Sequence, residues 1–303
     1  MRLASFVASG VDSSTDRVRT GVVTDGEIVD LTHPLIGLPH MMEDLLALGN
    51  DGMTAVKGAP GTSARRFALE EVKLLAPVTK PAKFLGIGMN YRQHIAELNK
   101  QAPQYQYWFN KQCTCIVGHL SPILIPDISE QVDYEGELGL VISRRCRNVP
   151  AERAIDVVAG FTVVNDVSIR DWQWRTPTFT LGKSFDSHGP IGPWITTPDE
   201  IEDPDDLSIR TWVNDELRQD ANTSDMIFKW YEMIAYLTSV FPLEPGDVLA
   251  TGTPGGVGAN SVPARWLTPG DTVRIEIEGL GTLENPVVAE KQREVSGVFE
   301  SDS

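Results

Sequence analysis

Between residues 131 and 143 the chain reads QVDYEGELGLVIS, and three carboxylates, Asp133, Glu135 and Glu137, fall at every second position. On a β-strand successive side chains point to opposite faces, so this spacing places all three on one face. Like charges side by side on a sheet repel and cost stability unless something neutralises them. A hard divalent cation such as Mg2+, Mn2+ or Ca2+ does so, because it prefers oxygen ligands. Taken alone, the pattern also describes an acidic strand face in water. The rest of the chain has to decide between the two.

The 303 residues allow one large domain, or one domain with a small companion. Hydrophobic residues make up 41%, enough for a sizeable packed core. With 42 acidic against 26 basic residues the formal charge is −16, which repels a phosphate backbone and argues against nucleic-acid binding. No apolar run reaches the length of a transmembrane helix, so no membrane association is expected. The opening residues, MRLASFVASG, do not read as a signal peptide. Three cysteines, Cys113, Cys115 and Cys146, match neither a zinc finger nor a C-x-x-C motif, and reduced thiols in a cytoplasmic protein fit best.

Residues 1–75 read as a small N-terminal α+β domain, and residues 76–303 as the metal-binding catalytic domain, joined near KLLAPVTKPAK. Asp25-Gly26 signals a type I′ hairpin, and two short helices follow it, the first closed by Gly49. Beyond Phe84 short strands dominate, punctuated by Gly and Pro. They include FLGIGMN, SPILIP, ELGLVIS, VVAGFTVVND and a hairpin turning at Asn214-Asp215. TSDMIFKWYEMIAYLTSV reads as the best-defined helix, capped by Thr223 or Ser224, with apolar residues at 227, 230, 231, 234 and 237. Many strands with few long helices argue a β-rich α+β fold rather than a doubly wound sheet. The last dozen residues are polar enough to fray.

Several side chains outside the acidic stretch carry possible chemistry. Asp166 ends the apolar run FTVVND, where a sheet presents ligands, and with Glu135 and Glu137 it makes a three-carboxylate set. His94 and Glu97 lie three apart in YRQHIAELNK, a helical spacing that suits a general base and an orienting acid. Lys183, in a Gly- and Pro-rich loop, suits a substrate carboxylate, and Thr253 in TGTPGGVG sits among backbone N–H groups that suit an oxyanion. Each residue alone also has an unremarkable structural explanation. GIGMNY lacks the third glycine of a dinucleotide loop, TGTPGGVG lacks the Walker lysine, and no G-x-S-x-G occurs.

Taken together, GMNYRQHIAE, DYEGELGLVI, VVNDVSIRDWQ, LGKSFDSHGPIGP and LEPGDVLATGTPGGVG resemble the fumarylacetoacetate hydrolase superfamily, in its order and spacing. Acylpyruvate hydrolases and 2-hydroxyhepta-2,4-diene-1,7-dioate isomerases are among the members it is similar to. The resemblance implies a mixed β-sandwich roll of the C-terminal type with a divalent metal in its mouth, in a homodimer. It implies Glu135, Glu137 and Asp166 as ligands to Mg2+ or Mn2+, and His94 with Glu97 as the pair that activates a water. It also implies Lys183 as a catalytic residue, and Arg170, Gln173 and Thr253 as substrate contacts. Asp133 has no ligand role in the match. The chain departs from the family at WFNKQC, where Gln112 stands in place of the usual proline. The aromatic-rich stretch 104–109 is expected either to close over the site as a lid or to pack internally.

The expected function is therefore metal-dependent hydrolysis of a C–C bond in an acylpyruvate-like 2,4-dioxo acid, a small-molecule substrate. In that reaction His94 activates water and a pyruvate enolate leaves. On the same site, decarboxylation of an oxaloacetate-type acid and isomerisation or hydration of a 2-hydroxy-dienoate are the alternatives. A non-enzymatic β protein that binds Ca2+ for structural reasons is the alternative of a different class.

Overall fold

The computed structural model describes residues 1–8 and 17–291; the C-terminal stretch expected to fray lies outside these. At its centre two apolar runs form Gly136–Ile142 and Val158–Asn165, paired antiparallel from Gly136↔Asn165 to Ile142↔Val158. Every residue of both strands is buried, which explains why they read as continuous apolar runs and not as alternation. The larger sheet continues on one side through Gly189–Thr196 and Arg2–Ala8 to the Arg19–Thr24 and Glu27–Asp30 hairpin. On the other side it runs through Val248–Ala250 and Phe84–Gly88, which are parallel, to Tyr107–Lys111.

A second sheet orders Glu216–Asn222, Ser208–Val213, Thr272–Ile277, Gly281–Ala289 and Ile123–Ile125. Leu138, Leu140, Phe161 and Val163 from the first sheet share one buried cluster with Ile209, Ile275 and Leu283 from the second. The architecture is thus the β-rich α+β sandwich expected, with both parallel and antiparallel pairs. The opening segment extends the first sheet through Arg2↔Thr196 and Leu3↔Ile195. Leu3, Val22, Leu45 and Val56 pack with Val141, Val164 and Ile191 in a second apolar cluster.

The hairpin at Asp25-Gly26 forms with both residues at positive φ, 49° and 83°, the geometry of a type I′ turn. Two sequence expectations need correction. The long helix spans Trp230–Val240 and not the whole of 223–240. Thr223–Asp225 is a short 3-10 turn, and the backbone N–H groups of Ile227 and Phe228 donate to Asn90, which holds the chain extended before the helix. The acidic stretch is likewise not one strand. It divides into Val132–Asp133, paired with Ser168–Ile169, and Gly136–Ile142. Asp133 causes the break: its carboxylate accepts the N–H groups of Tyr134, Gly258 and Ala259 and pairs with Arg170, so it leaves the other two carboxylates.

His188 supplies a test of the core. It is fully buried, with Nε2 donating to the Leu124 carbonyl oxygen at 2.7 Å and no partner for Nδ1. Burial pushes its pKa down from 6.5 to about 3. The folded value lies below the unfolded one, so the neutral ring contributes its stability in full above about pH 6.5, and that stability drains as pH falls towards 3. At about 1.4 kcal/mol per pH unit, roughly 2 kcal/mol is lost by about pH 5. Denaturant melts at both pH values should show His188→Gln losing less than the wild type over this interval. Equal losses would remove His188 as the cause.

Candidate active site

The ends of the two central strands gather the chemistry. Asp166 directly follows Val158–Asn165, and its N–H donates to the Glu135 carbonyl oxygen at 2.9 Å, which sets the two carboxylate-bearing turns side by side. Glu135, Glu137 and Asp166 are all buried, and each offers one oxygen within 4.8 Å of the others. Lys183 Nζ bridges Glu135 Oε2 at 2.6 Å and Asp166 Oδ2 at 2.7 Å. Arg170 spans Glu135 Oε1, at 2.6 Å, and Asp133 Oδ2, at 2.9 and 2.8 Å from Nε and Nη2. Glu137 accepts the Gly252 N–H at 2.7 Å, from a backbone held at φ +91° where a side chain is strained.

These contacts decide the local electrostatics. Burial alone would raise the Glu135 carboxyl, but Lys183 and then Arg170 hold it well below the usual range. Burial, then Asp166 and Glu135, push Glu137 well above that range. Among the described residues Glu137 has no ion pair. Four buried carboxylates, Asp133, Glu135, Glu137 and Asp166, thus face three buried cations, Lys111, Lys183 and Arg170. An all-oxygen donor set with one carboxylate left uncompensated suits a hard divalent ion.

Glu135 and Glu137 open on a cavity of about 260 Å³, which His94, Arg170, Gln173, Lys183 and Thr253 also line, while Asp166 lies behind them. Its opposite character comes from Met89, Leu98, Tyr107, Phe109, Trp174 and Phe179. Tyr107 stacks near Phe179 with centroids 5.4 Å apart and donates its hydroxyl to the Pro177 carbonyl oxygen, so part of the aromatic stretch walls the cavity. His94 lies on the helix Arg92–Glu97, and burial, the largest influence, pulls its pKa below 6.5. Glu97 Oε2 is 3.7 Å from His94 Nδ1, beyond hydrogen-bond range, and both Glu97 oxygens are taken by the Gly256 N–H and the Asn260 amide. Gln173 accepts from Arg170 at 2.9 Å, and the Thr253 hydroxyl donates to the Gly136 carbonyl oxygen at 3.0 Å.

Sequence reasoning gave Lys111 no role beyond its place in the motif. It is fully buried, donating to Asp166 Oδ1 at 2.6 Å and to the Lys183 carbonyl oxygen. On the strand Tyr107–Lys111 it shares the inward face with Phe109, so period-two reading of YWFNK would have found it. Asn260 had no signal, because the loop that carries it has no periodicity.

Residues 83–288 match the family described as fumarylacetoacetate (FAA) hydrolase C-terminal. The chain is 42% identical over 290 residues, 95% of its length and 90% of the relative's, to oxaloacetate tautomerase fahd2, mitochondrial, of Xenopus laevis. The solved fumarylacetoacetate hydrolase (EaFAH) of psychrophilic Exiguobacterium antarcticum superposes with a TM-score of 0.84 at 35% identity, covering 96% of this chain and all of that one. Maleylpyruvate hydrolase from Sphingobium sp. SYK-6, solved in complex with manganese(II) ion and pyruvate, gives 0.79 at 33% identity with 96% and 100% covered.

Proposed function

The chain belongs to the fumarylacetoacetate hydrolase family, and from that premise we propose a divalent-metal-dependent enzyme that enolises a small 2-oxo acid, with keto–enol tautomerisation of an oxaloacetate-type acid as its reaction. The observation that carries this reading is the engagement of Glu97. With both oxygens bonded to the loop and 3.7 Å left between Oε2 and Nδ1, it leaves the half-buried His94 ring without a hydrogen bond on that side, beside Glu135 and Glu137, suited to moving a proton on the substrate itself. The name of the Xenopus laevis relative supports the same reaction class.

Glu135, Glu137 and Asp166 would hold Mg2+ or Mn2+, and when bound that ion supplies Lewis-acid polarisation of a 2-oxo group and its carboxylate. His94 takes the proton from C3 of the substrate. The C–H electron pair becomes the C2–C3 double bond, the C2–O π pair moves onto the oxygen, and that oxygen takes up the proton carried by His94, which returns the ring to its neutral form. Lys183 and Gln173 stabilise the charge on that oxygen, Arg170 braces Glu135 and Gln173 around it, and Thr253 fixes the Gly136 turn. The apolar wall excludes water while the proton is held.

A second reading keeps the reaction expected from the sequence. The maleylpyruvate hydrolase relative with manganese(II) and pyruvate favours C–C hydrolysis of an acylpyruvate, in which His94 would take its proton from water instead. We keep the homodimer that the family resemblance implies. The three free thiols support a reducing compartment, for which we keep the cytoplasm, although the Xenopus laevis relative is named mitochondrial.

The deciding experiment follows the enol absorbance of oxaloacetate and of an acylpyruvate, with protein stripped of metal and then given Mg2+ or Mn2+. Metal-restored equilibration of oxaloacetate without release of pyruvate is the expected result. Release of pyruvate with a carboxylic acid from the acylpyruvate selects hydrolysis, and pyruvate with CO2 selects decarboxylation. No metal-dependent change with either compound removes the enzymatic reading.

A further inference from the structure

Three cationic side chains line the cavity of the active site, Arg170, Lys183 and Lys100. Two of them are already committed, Arg170 to Asp133 and Glu135, and Lys183 to Glu135 and Asp166. Lys100 has no ion pair and no side-chain hydrogen bond among the described residues. It is exposed while Glu135 and Glu137 are buried, so it stands at the mouth and the carboxylates at the floor. The end of the His94 helix holds it there. Asn99, at φ +50°, turns the backbone left-handed, and its N–H donates to the Ala96 carbonyl oxygen at 3.0 Å. The Lys100 N–H then donates to the Ile95 carbonyl oxygen at 3.2 Å, which completes the paired closure of a Schellman turn.

We infer that Lys100 is a specificity-determining residue: it binds a second carboxylate, on C4 of the substrate, and so selects dicarboxylic over monocarboxylic 2-oxo acids. The inference rests on the function proposed above, in which the 2-oxo and C1 carboxylate oxygens lie at the acidic floor. C3 and C4 of a four-carbon acid then extend towards the mouth. The cavity walls contributed by Leu98, Tyr107, Trp174 and Phe179 offer no countercharge to a carboxylate that leaves water. Lys100 offers one. Its ammonium is a point charge on a flexible stem, so it can follow a carboxylate without demanding one geometry. A C4 methyl gains nothing from it.

The test uses pairs of acids that differ only in a C4 carboxylate against a C4 methyl. Malate and 2-hydroxybutanoate, which do not enolise, report binding, and oxaloacetate and 2-oxobutanoate report enolisation. Calorimetry on the full chain supplied with Mn2+ reads the binding and needs no turnover. The wild type is expected to bind malate more tightly than 2-hydroxybutanoate. Lys100→Met should weaken malate about 5- to 20-fold, between the worth of an exposed ion pair and that of a hydrogen bond to a charged group, and leave 2-hydroxybutanoate within about twofold. Lys100→Arg should restore most of the malate affinity, and added salt should narrow the gap between the wild type and Lys100→Met. In turnover, the KM for oxaloacetate should rise in Lys100→Met with kcat nearly unchanged. Equal effects on both 2-hydroxy acids, no effect on either, or no binding of either by the wild type overturns the inference. Lys100 is exposed, so its variants should fold, and a melting temperature near the wild type's confirms that they have. A loss confined to malate in a protein that enolises neither 2-oxo acid would sink the functional reading alone. Enolisation of oxaloacetate that is indifferent to Lys100 would sink this inference alone.

Discussion

Asp166→Asn and Glu137→Gln should both abolish metal-dependent turnover, and should move stability in opposite directions. Asp166 is the partner of two buried ammonium groups, Lys111 at 2.6 Å and Lys183 at 2.7 Å. An asparagine keeps the shape but removes the charge that compensates both. Breaking a buried pair from one side typically costs about 3–5 kcal/mol, because the remaining charge stays desolvated. Lys183 keeps Glu135 and Lys111 keeps two carbonyl oxygens, which places the expected loss towards the lower end of that range. Glu137 is the reverse case. Burial and its two acidic neighbours push its pKa up because a charge there is costly, and a neutral glutamine carries no such cost while still accepting the Gly252 N–H. Denaturant melts of metal-free protein should therefore rank Glu137→Gln at or above the wild type and Asp166→Asn well below it. Calorimetric titration with Mn2+ should show weakened binding for both. Tight Mn2+ binding by Glu137→Gln would remove that residue from the ligand set.

The contrast between these two carboxylates marks the limit of what the sequence conveys. Glu135 and Glu137 do come together, but Glu135 sits in the break before the strand and is held there by the Asp166 N–H, so the cluster was legible from its spacing although the spacing was not that of one strand. The same spacing wrongly carried Asp133 along. Its capture by Arg170, 37 residues later, and by the Gly258 and Ala259 N–H groups, 125 and 126 residues later, is something no local pattern reports. The late start of the Trp230 helix has the same origin, since Asn90 binds the preceding backbone from far away in the chain. The sandwich was legible because its buried strands are long and strongly apolar. His94 and Glu97 were legible as neighbours at helical spacing, but the direction in which Glu97 points was not, because Gly256 and Asn260 decide it.

His94→Ala should lower turnover by about 10²–10⁴-fold, the usual worth of a positioned general base, and leave Mn2+ affinity near that of the wild type. The second half separates a proton-transfer role from damage to the acidic cluster, since the imidazole makes no hydrogen bond to any of the three carboxylates. The pH profile carries the sign. A base must be neutral to accept a proton, and burial holds the His94 pKa below 6.5, so activity stays full through neutral pH and falls only as pH drops through that lowered value. The alanine variant has no such group, and its residual activity should lose this acid limb. Glu97→Gln should cost much less than His94→Ala if the proton moves directly between substrate and His94, because Glu97 is bonded to the loop. Comparable losses in the two variants would instead indicate that Glu97 helps His94 to activate a water, and would favour hydrolysis over tautomerisation. Near-full turnover in His94→Ala with unchanged metal affinity would take the base assignment away from His94 altogether.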